Sequence, residues 1–129
     1  MTWRGKHHVT IRYFNDGATN KSRAVQIWQI LTGSAFRRET LTYEELVGLL
    51  GNKNPKVLAK QLGHIMHYCS QNKLPPLTIL VVNKSTGRPG GGLTLLADRG
   101  KLREQVFTYN WYGIYPPTEE QLEEAWDAG

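Results

Sequence analysis

The sequence predicts a mainly α-helical domain with a small β component, arranged like a winged helix-turn-helix. Two helix signals around a tight turn predict the helical pair: a capping box begins at Thr42 and a stop stands at Gly51, and Asn54-Pro55 marks the next start. An apolar run at residues 77–82, followed by a glycine-rich basic loop, predicts a strand and a wing. At 129 residues, the chain has the size of one domain.

The N-terminal region is expected to contain an arm and one amphipathic helix. Residues 1–20 form the arm or a strand, because residues 9–14 (VTIRYF) alternate loosely between apolar and polar positions. Residues 21–31 are expected to be helical, with an end at Thr32-Gly33. The apolar face of this helix consists of Ala24, Ile27, Trp28 and Leu31.

The helical pair is the feature that bears most directly on function. In the first helix, Thr42 and Glu45 have capping-box spacing, and Leu41 and Leu46 occupy the positions of a hydrophobic staple. The second helix, which begins at Pro55, has two different faces. Its apolar stripe consists of Leu58, Leu62, Ile65 and Cys69. Its polar face consists of Lys56, Lys60, Gly63, His64 and His67, and we expect this face to be exposed and to meet phosphates.

The C-terminal half adds a β component and further helices. A strand at residues 77–82 leads into a basic loop at residues 83–92, with Lys84 and Arg88 as cations that would contact a nucleic-acid backbone and Asn83 as a further expected DNA-binding residue. A paired strand is expected at residues 93–96. Residues 101–109 are expected to form a helix or a strand whose inward side chains are Leu102 and Val106.

An acidic helix is expected near the C-terminus. Thr118 and Gln121 have capping-box spacing, and Leu122 and Trp126 follow in the helix that they open. The central domain is therefore expected over residues 21–110, with an extension over residues 111–129 that folds back or recruits a protein.

The charge is unevenly distributed along the chain. The net charge is +5, from 16 Lys and Arg against 11 Asp and Glu. From Thr118 onwards there are five acidic residues and no basic one, so the first 117 residues carry +10. A basic body of this kind is typical of proteins with a polyanionic partner.

Several classes are disfavoured by the sequence. No apolar run approaches the roughly 18–20 residues of a membrane span, and the N-terminus does not resemble a signal peptide. Cys69 is the sole cysteine, so no internal disulfide forms and a cytoplasmic location is expected. We expect no cofactor and no membrane partner.

The sequence offers no catalytic or metal-binding constellation. His64 and His67 share a helix face, but Cys69 belongs to the apolar side, and zinc needs three or four converging ligands. The glycine-rich loop matches neither nucleotide-binding pattern. No carboxylate cluster suggests a nuclease. We therefore expect a protein without enzymatic activity.

The segment over residues 23–92 resembles the DNA-binding domain of the O6-alkylguanine-DNA alkyltransferases and alkyltransferase-like proteins. The resemblance rests on AVQIWQIL, LTYEELVGLLG, NPKVLAKQLGHIM and LPPLTILVVNKSTG, in this order and spacing. It implies that Tyr43 helps to rotate a nucleotide and that Lys60, with one extra residue in the helix, matches the arginine that fills the gap left by a flipped base. It also implies that Gly63 permits close approach to the minor groove.

The resemblance fails at the reactive position of the family. Val82 stands where the family has the cysteine that accepts the alkyl group, and Asn83 stands in place of the activating histidine. A valine cannot act as a nucleophile, so alkyl transfer is not expected. The expectation is a non-catalytic protein that binds duplex DNA, plain or damaged. The alternative is a small protein-binding inhibitor or adaptor, of the phage counter-defence or toxin-immunity type, whose acidic tail contacts a protein.

Overall fold

The computed structural model describes residues 9–14, 17–51, 56–85 and 99–129, with side chains from residue 58 onwards in the third of these ranges. The helices are α1 (Asn20–Phe36), α2 (Tyr43–Leu50), α3 (Lys56–Gln71), α4 (Arg99–Thr108) and α5 (Glu119–Ala128). Two short strands, β1 (Leu41–Thr42) and β2 (Val81–Val82), pair in parallel, with Leu41 opposite Val81. The expected mainly α class with a small β component is confirmed. Within the described ranges, no helix is long and apolar enough to cross a membrane.

Helix α1 is the centre of the core. Thr19 caps it reciprocally with Ser22, and the expected apolar face is buried: Ala24, Ile27, Trp28 and Leu31. The expected end at Thr32-Gly33 is wrong, because the helix continues to Phe36. Ala35 extends the buried face by one turn, and this packing outweighs the roughly 1 kcal/mol that a glycine costs inside a helix.

The helix signals around α2 are confirmed. The Thr42 hydroxyl accepts a hydrogen bond from the Glu45 N–H (3.1 Å), and the Thr42 N–H donates to the Glu45 carboxylate (3.0 Å). Gly51 ends the helix with φ +68°, a left-handed conformation that glycine adopts without steric cost. The turn with Asn54-Pro55 lies outside the described residues. Beyond it, the expected apolar stripe of α3 is buried: Leu58, Leu62, Ile65 and Cys69.

The apolar run at residues 77–82 is not a simple strand. Leu77–Leu80 form a 3₁₀ turn against α1 and α3, and only Val81–Val82 form the strand β2. All six side chains are buried, and a short apolar run buried on every side has no periodicity that separates a strand from a helical turn. Residues 86–98, which include Arg88 and the second expected strand, lie outside the described residues.

The two C-terminal helices share the core of the domain. In α4, Val106 is fully buried and Leu102 packs against the core, so the helical alternative for this segment is correct. Helix α5 starts at the expected Thr118–Gln121 capping box and packs on α1 and α3 through Leu122 and Ala125. The segment expected as an extension, residues 111–129, thus folds back and contributes to the same core.

Candidate nucleic-acid interface

The structure separates the expected DNA-binding residues into two groups. One group lies on α3 beneath or beside α5 and consists of Lys60, Gly63, His64 and His67. The other lies where α2 begins and β2 ends, and consists of Tyr43, Asn83 and Lys84. The Lys56 side chain and Arg88 are not among the described parts of the chain.

Gly63 and His64 are not exposed, so the expectation of an open recognition face is wrong at these positions. A Cβ atom on Gly63 would stand 2.4 Å from Cζ3 of Trp126, which means that the indole lies directly on the glycine. His64 is only 3% exposed. The physical reason is that the α5 helix also has an apolar face, and Leu122 brings it onto α3.

The hydrogen bond of His64 fixes the proton on its ring. Its Nδ1 lies 2.8 Å from the carbonyl oxygen of Leu122, and because a carbonyl only accepts, Nδ1 carries the hydrogen. The other nitrogen, Nε2, is buried without a hydrogen-bond partner. His64 therefore joins α3 to the backbone of α5 through one ring nitrogen and leaves the other buried without a partner.

Lys60 and His67 flank the same indole. The Lys60 ammonium is 5.4 Å from a ring centroid of Trp126, within the range of a cation–π interaction, and Lys60 remains exposed. The half-buried His67 meets the ring edge-on at 5.5 Å between centroids. Among the expected DNA-binding residues of α3 whose side chains the structure describes, Lys60 is therefore the exposed one.

The second group surrounds the start of α2. Lys84 Nζ lies 3.6 Å from a carboxylate oxygen of Glu44, and each side chain is 73% exposed, so solvent screens this ion pair strongly. Asn83 is exposed, and its side-chain oxygen accepts a hydrogen bond from the Ser85 N–H at 2.9 Å, which shapes the turn after β2. Tyr43 is half-buried against the core.

Lys21 is a further basic residue near Lys60 that the sequence does not single out. Lys21, in the first turn of α1, forms an ion pair with Glu123 of α5 at 2.5 Å. Lys21 and Lys60 line a cavity of about 300 Å³ between the start of α1 and α5. The pairing joins positions 102 residues apart, and no local pattern in the sequence signals it.

The positions of the reactive motif carry no nucleophile. Val82 is buried at the end of β2, beside the start of α2. Cys69 is buried on the apolar side of α3, as expected for a small core side chain, and burial raises the pKa of its thiol to about 11. Among the described residues, no three His, Cys, Asp or Glu side chains could together hold a metal ion.

The two groups thus remain separate: Lys60 lies on α3 beside the acidic helix α5, and Lys84 follows β2 near the start of α2. No family model matches this chain, and no curated protein or solved structure is significantly similar to it.

Proposed function

We propose that this protein binds duplex DNA without enzymatic activity, through a winged helix-turn-helix of alkyltransferase-like architecture. The observation that carries the proposal is the helical pair α2 and α3 with two exposed lysines beside it: Lys60 in the second turn of α3, and Lys84 near Glu44 at the start of α2. The first 117 residues carry an excess of ten positive charges. Lysines in such positions neutralise phosphates and release counterions, and this release drives non-specific DNA affinity.

The accessible residues define the footprint. Lys84 and Asn83 extend from the end of β2, and Tyr43 lies beside them at the start of α2. Lys60, in the second turn of α3, is the exposed cation of the other helix. Phosphate contacts from these positions would set the orientation of the protein on the duplex without reading its sequence.

Two observations support a role without alkyl transfer. Val82 stands where the resembling family has its acceptor cysteine, and Cys69 is a poor nucleophile because its raised pKa keeps it a thiol at neutral pH. The resemblance to the alkyltransferase-like proteins makes damaged duplex one of the DNA forms to examine.

A mobility-shift comparison tests the proposal. Plain, alkylated and single-stranded DNA are titrated at low salt with the parent protein, with Lys60→Glu/Lys84→Glu, and with Lys101→Glu as a control for charge on the exposed face of α4. The proposal predicts that the parent binds duplex DNA, that the double variant loses this binding, and that the control variant keeps more of it than the double variant does. Equal binding by the parent and the double variant would contradict it.

A second candidate function is favoured by an aromatic surface at the end of α1. Phe36 and Tyr112 are 73% and 64% exposed, and their rings lie 5.7 Å apart. Aromatic residues are enriched in protein interfaces, as expected for an inhibitor or adaptor. A stoichiometric protein complex that survives competitor DNA and is lost in Phe36→Ser/Tyr112→Ser would support this function over DNA binding.

A further inference from the structure

Helix α5 occupies the face of α3 that carries Lys60, Gly63, His64 and His67. The Leu122 carbonyl accepts from His64, and Trp126 lies on Gly63. Two turns further along α3, the Gln71 side-chain amide donates a hydrogen bond to the Ala125 carbonyl at 2.8 Å. Contacts therefore follow α3 for most of its length, over a face on which DNA would otherwise meet a lysine, two histidines and a glycine.

The charges of α5 complement those of the elements beneath it. The segment from Thr118 onwards has five carboxylates and no basic residue, like a short stretch of polyanion. Glu123 pairs with Lys21, and the positive charge of Lys60 further lowers the pKa of Glu123. The acidic helix thus lies where the phosphates of a duplex would be attracted.

The seam between α3 and α5 is incompletely satisfied. His64 Nε2 is buried without a hydrogen-bond partner. A buried polar atom without a partner destabilises the state that buries it. An open groove of about 300 Å³ lies between Lys21, Lys60 and Trp126 along this edge.

We propose that α5 competes with duplex DNA for this face of α3, so that release of α5 exposes Gly63, His64 and His67 and extends the DNA footprint from Lys60 along the helix. This inference rests on the proposed function. The carboxylates of α5 and the phosphates of DNA exchange places beside Lys60, and Nε2 of His64 becomes accessible to solvent or to the duplex.

The test measures duplex affinity with Trp126→Ala, which removes the ring from Gly63 without changing any charge. The matched control is Glu124→Asp, which keeps the charge at an exposed position of the same helix. Allosteric couplings typically change affinity about 5–150-fold, and we expect Trp126→Ala to bind duplex at least about fivefold more tightly, with a steeper salt dependence. Unchanged or weaker binding by a folded Trp126→Ala would overturn the inference.

Hydrogen exchange on the parent protein provides a second readout that needs no variant. Addition of duplex should accelerate exchange of the amides of α5, while the amides of α1 stay protected. Slower or unchanged exchange in α5 on binding would contradict competition. If the parent binds duplex in a Lys84-dependent manner and α5 stays protected, only this inference fails. If no duplex binding occurs at all, the proposed function fails with it.

Discussion

The indole of Trp126 lies on the backbone of Gly63, so closely that a single added methyl carbon would stand 2.4 Å from the ring. This relationship joins the acidic helix α5 to the middle of α3. The absence of a side chain at Gly63 therefore makes room for a contact between two helices of the protein. It also provides a sensitive position at which to test the packing of the two helices.

Gly63→Ala should destabilise the protein. Overpacking costs about 1–3 kcal/mol, and the better helix propensity of alanine returns just under 1 kcal/mol, so a net loss of up to about 2 kcal/mol is expected. Gly48→Ala is the matched control, because no heavy atom lies within 4 Å of the added carbon in α2. The control should gain about 0.5–1 kcal/mol. Urea unfolding of both variants checks the prediction, and a stabilised Gly63→Ala would refute the contact.

Cys69 should react slowly with thiol reagents. The rise of its pKa from 9.0 to about 11 lowers the thiolate fraction about 100-fold at neutral pH, and burial adds a steric barrier. The rate of modification by a disulfide reagent at pH 8 measures this, with the urea-unfolded chain as reference. Similar rates in the folded and unfolded states would show that the thiol is exposed.

The same shift affects alkaline stability. Because the folded pKa lies above the unfolded value, the contribution of Cys69 is complete below pH 9 and declines as the pH rises towards 11. Cys69→Ala should remove this part of the decline in a series of urea titrations between pH 8 and 11. An identical pH dependence in the variant and the parent would exclude a role for the thiol.

The Lys21–Glu123 ion pair should stabilise the docking of α5 within a defined pH window. The hydrogen bond and the charge of Lys21 lower the pKa of Glu123 below its ordinary value of 4.5. The ion pair therefore stabilises the folded state above pH 4.5, and this stabilisation is lost as the pH falls through the lowered pKa. Because the pKa of Lys21 is raised above its ordinary value of 10.5, the upper pH limit of this stabilisation lies beyond pH 10.5. Glu123→Gln should therefore melt slightly below the parent near pH 7, and the difference should vanish in acid. A difference that grows in acid would contradict this sign.

Glu44→Gln should tighten duplex binding modestly. The carboxylate lies 3.6 Å from Lys84 Nζ and competes with phosphate for it, although both groups are largely exposed. Surface pairs of this kind contribute about 0.2–1 kcal/mol, which corresponds to about 1.5–5-fold in affinity. Fluorescence anisotropy with a labelled duplex measures the change, and weaker binding of the variant would show that Glu44 itself contacts the DNA.

Local signals in the sequence predicted the elements of the fold well. Thr42, Gly51 and Thr118 delimit helices in the structure as their types and spacing indicate, because caps act within one turn of chain. The 3₁₀ turn at Leu77–Leu80 was missed because burial on all sides erases periodicity.

The site was harder to predict than the fold. On sequence alone, Gly63 and His64 belong to a polar helix face, and polar faces are usually exposed. Both residues are buried because α5 packs on them, and the residues in contact are far apart in the sequence: Leu122 and His64 are separated by 58 positions. Such a contact has no signature within α3 itself. Lys84, at the end of a strand, was easier to place because its exposure follows from the adjacent turn.

The salt dependence of duplex binding tests the central proposal most directly. Each phosphate contact contributes about one unit to the slope of log affinity against log salt. For Lys84→Gln, the account predicts weaker binding and a slope smaller by about one unit, whereas Lys101→Gln on α4 should leave the slope unchanged. A parent protein with no measurable duplex affinity at low salt, or a Lys84→Gln slope equal to that of the parent, would contradict DNA binding through Lys84.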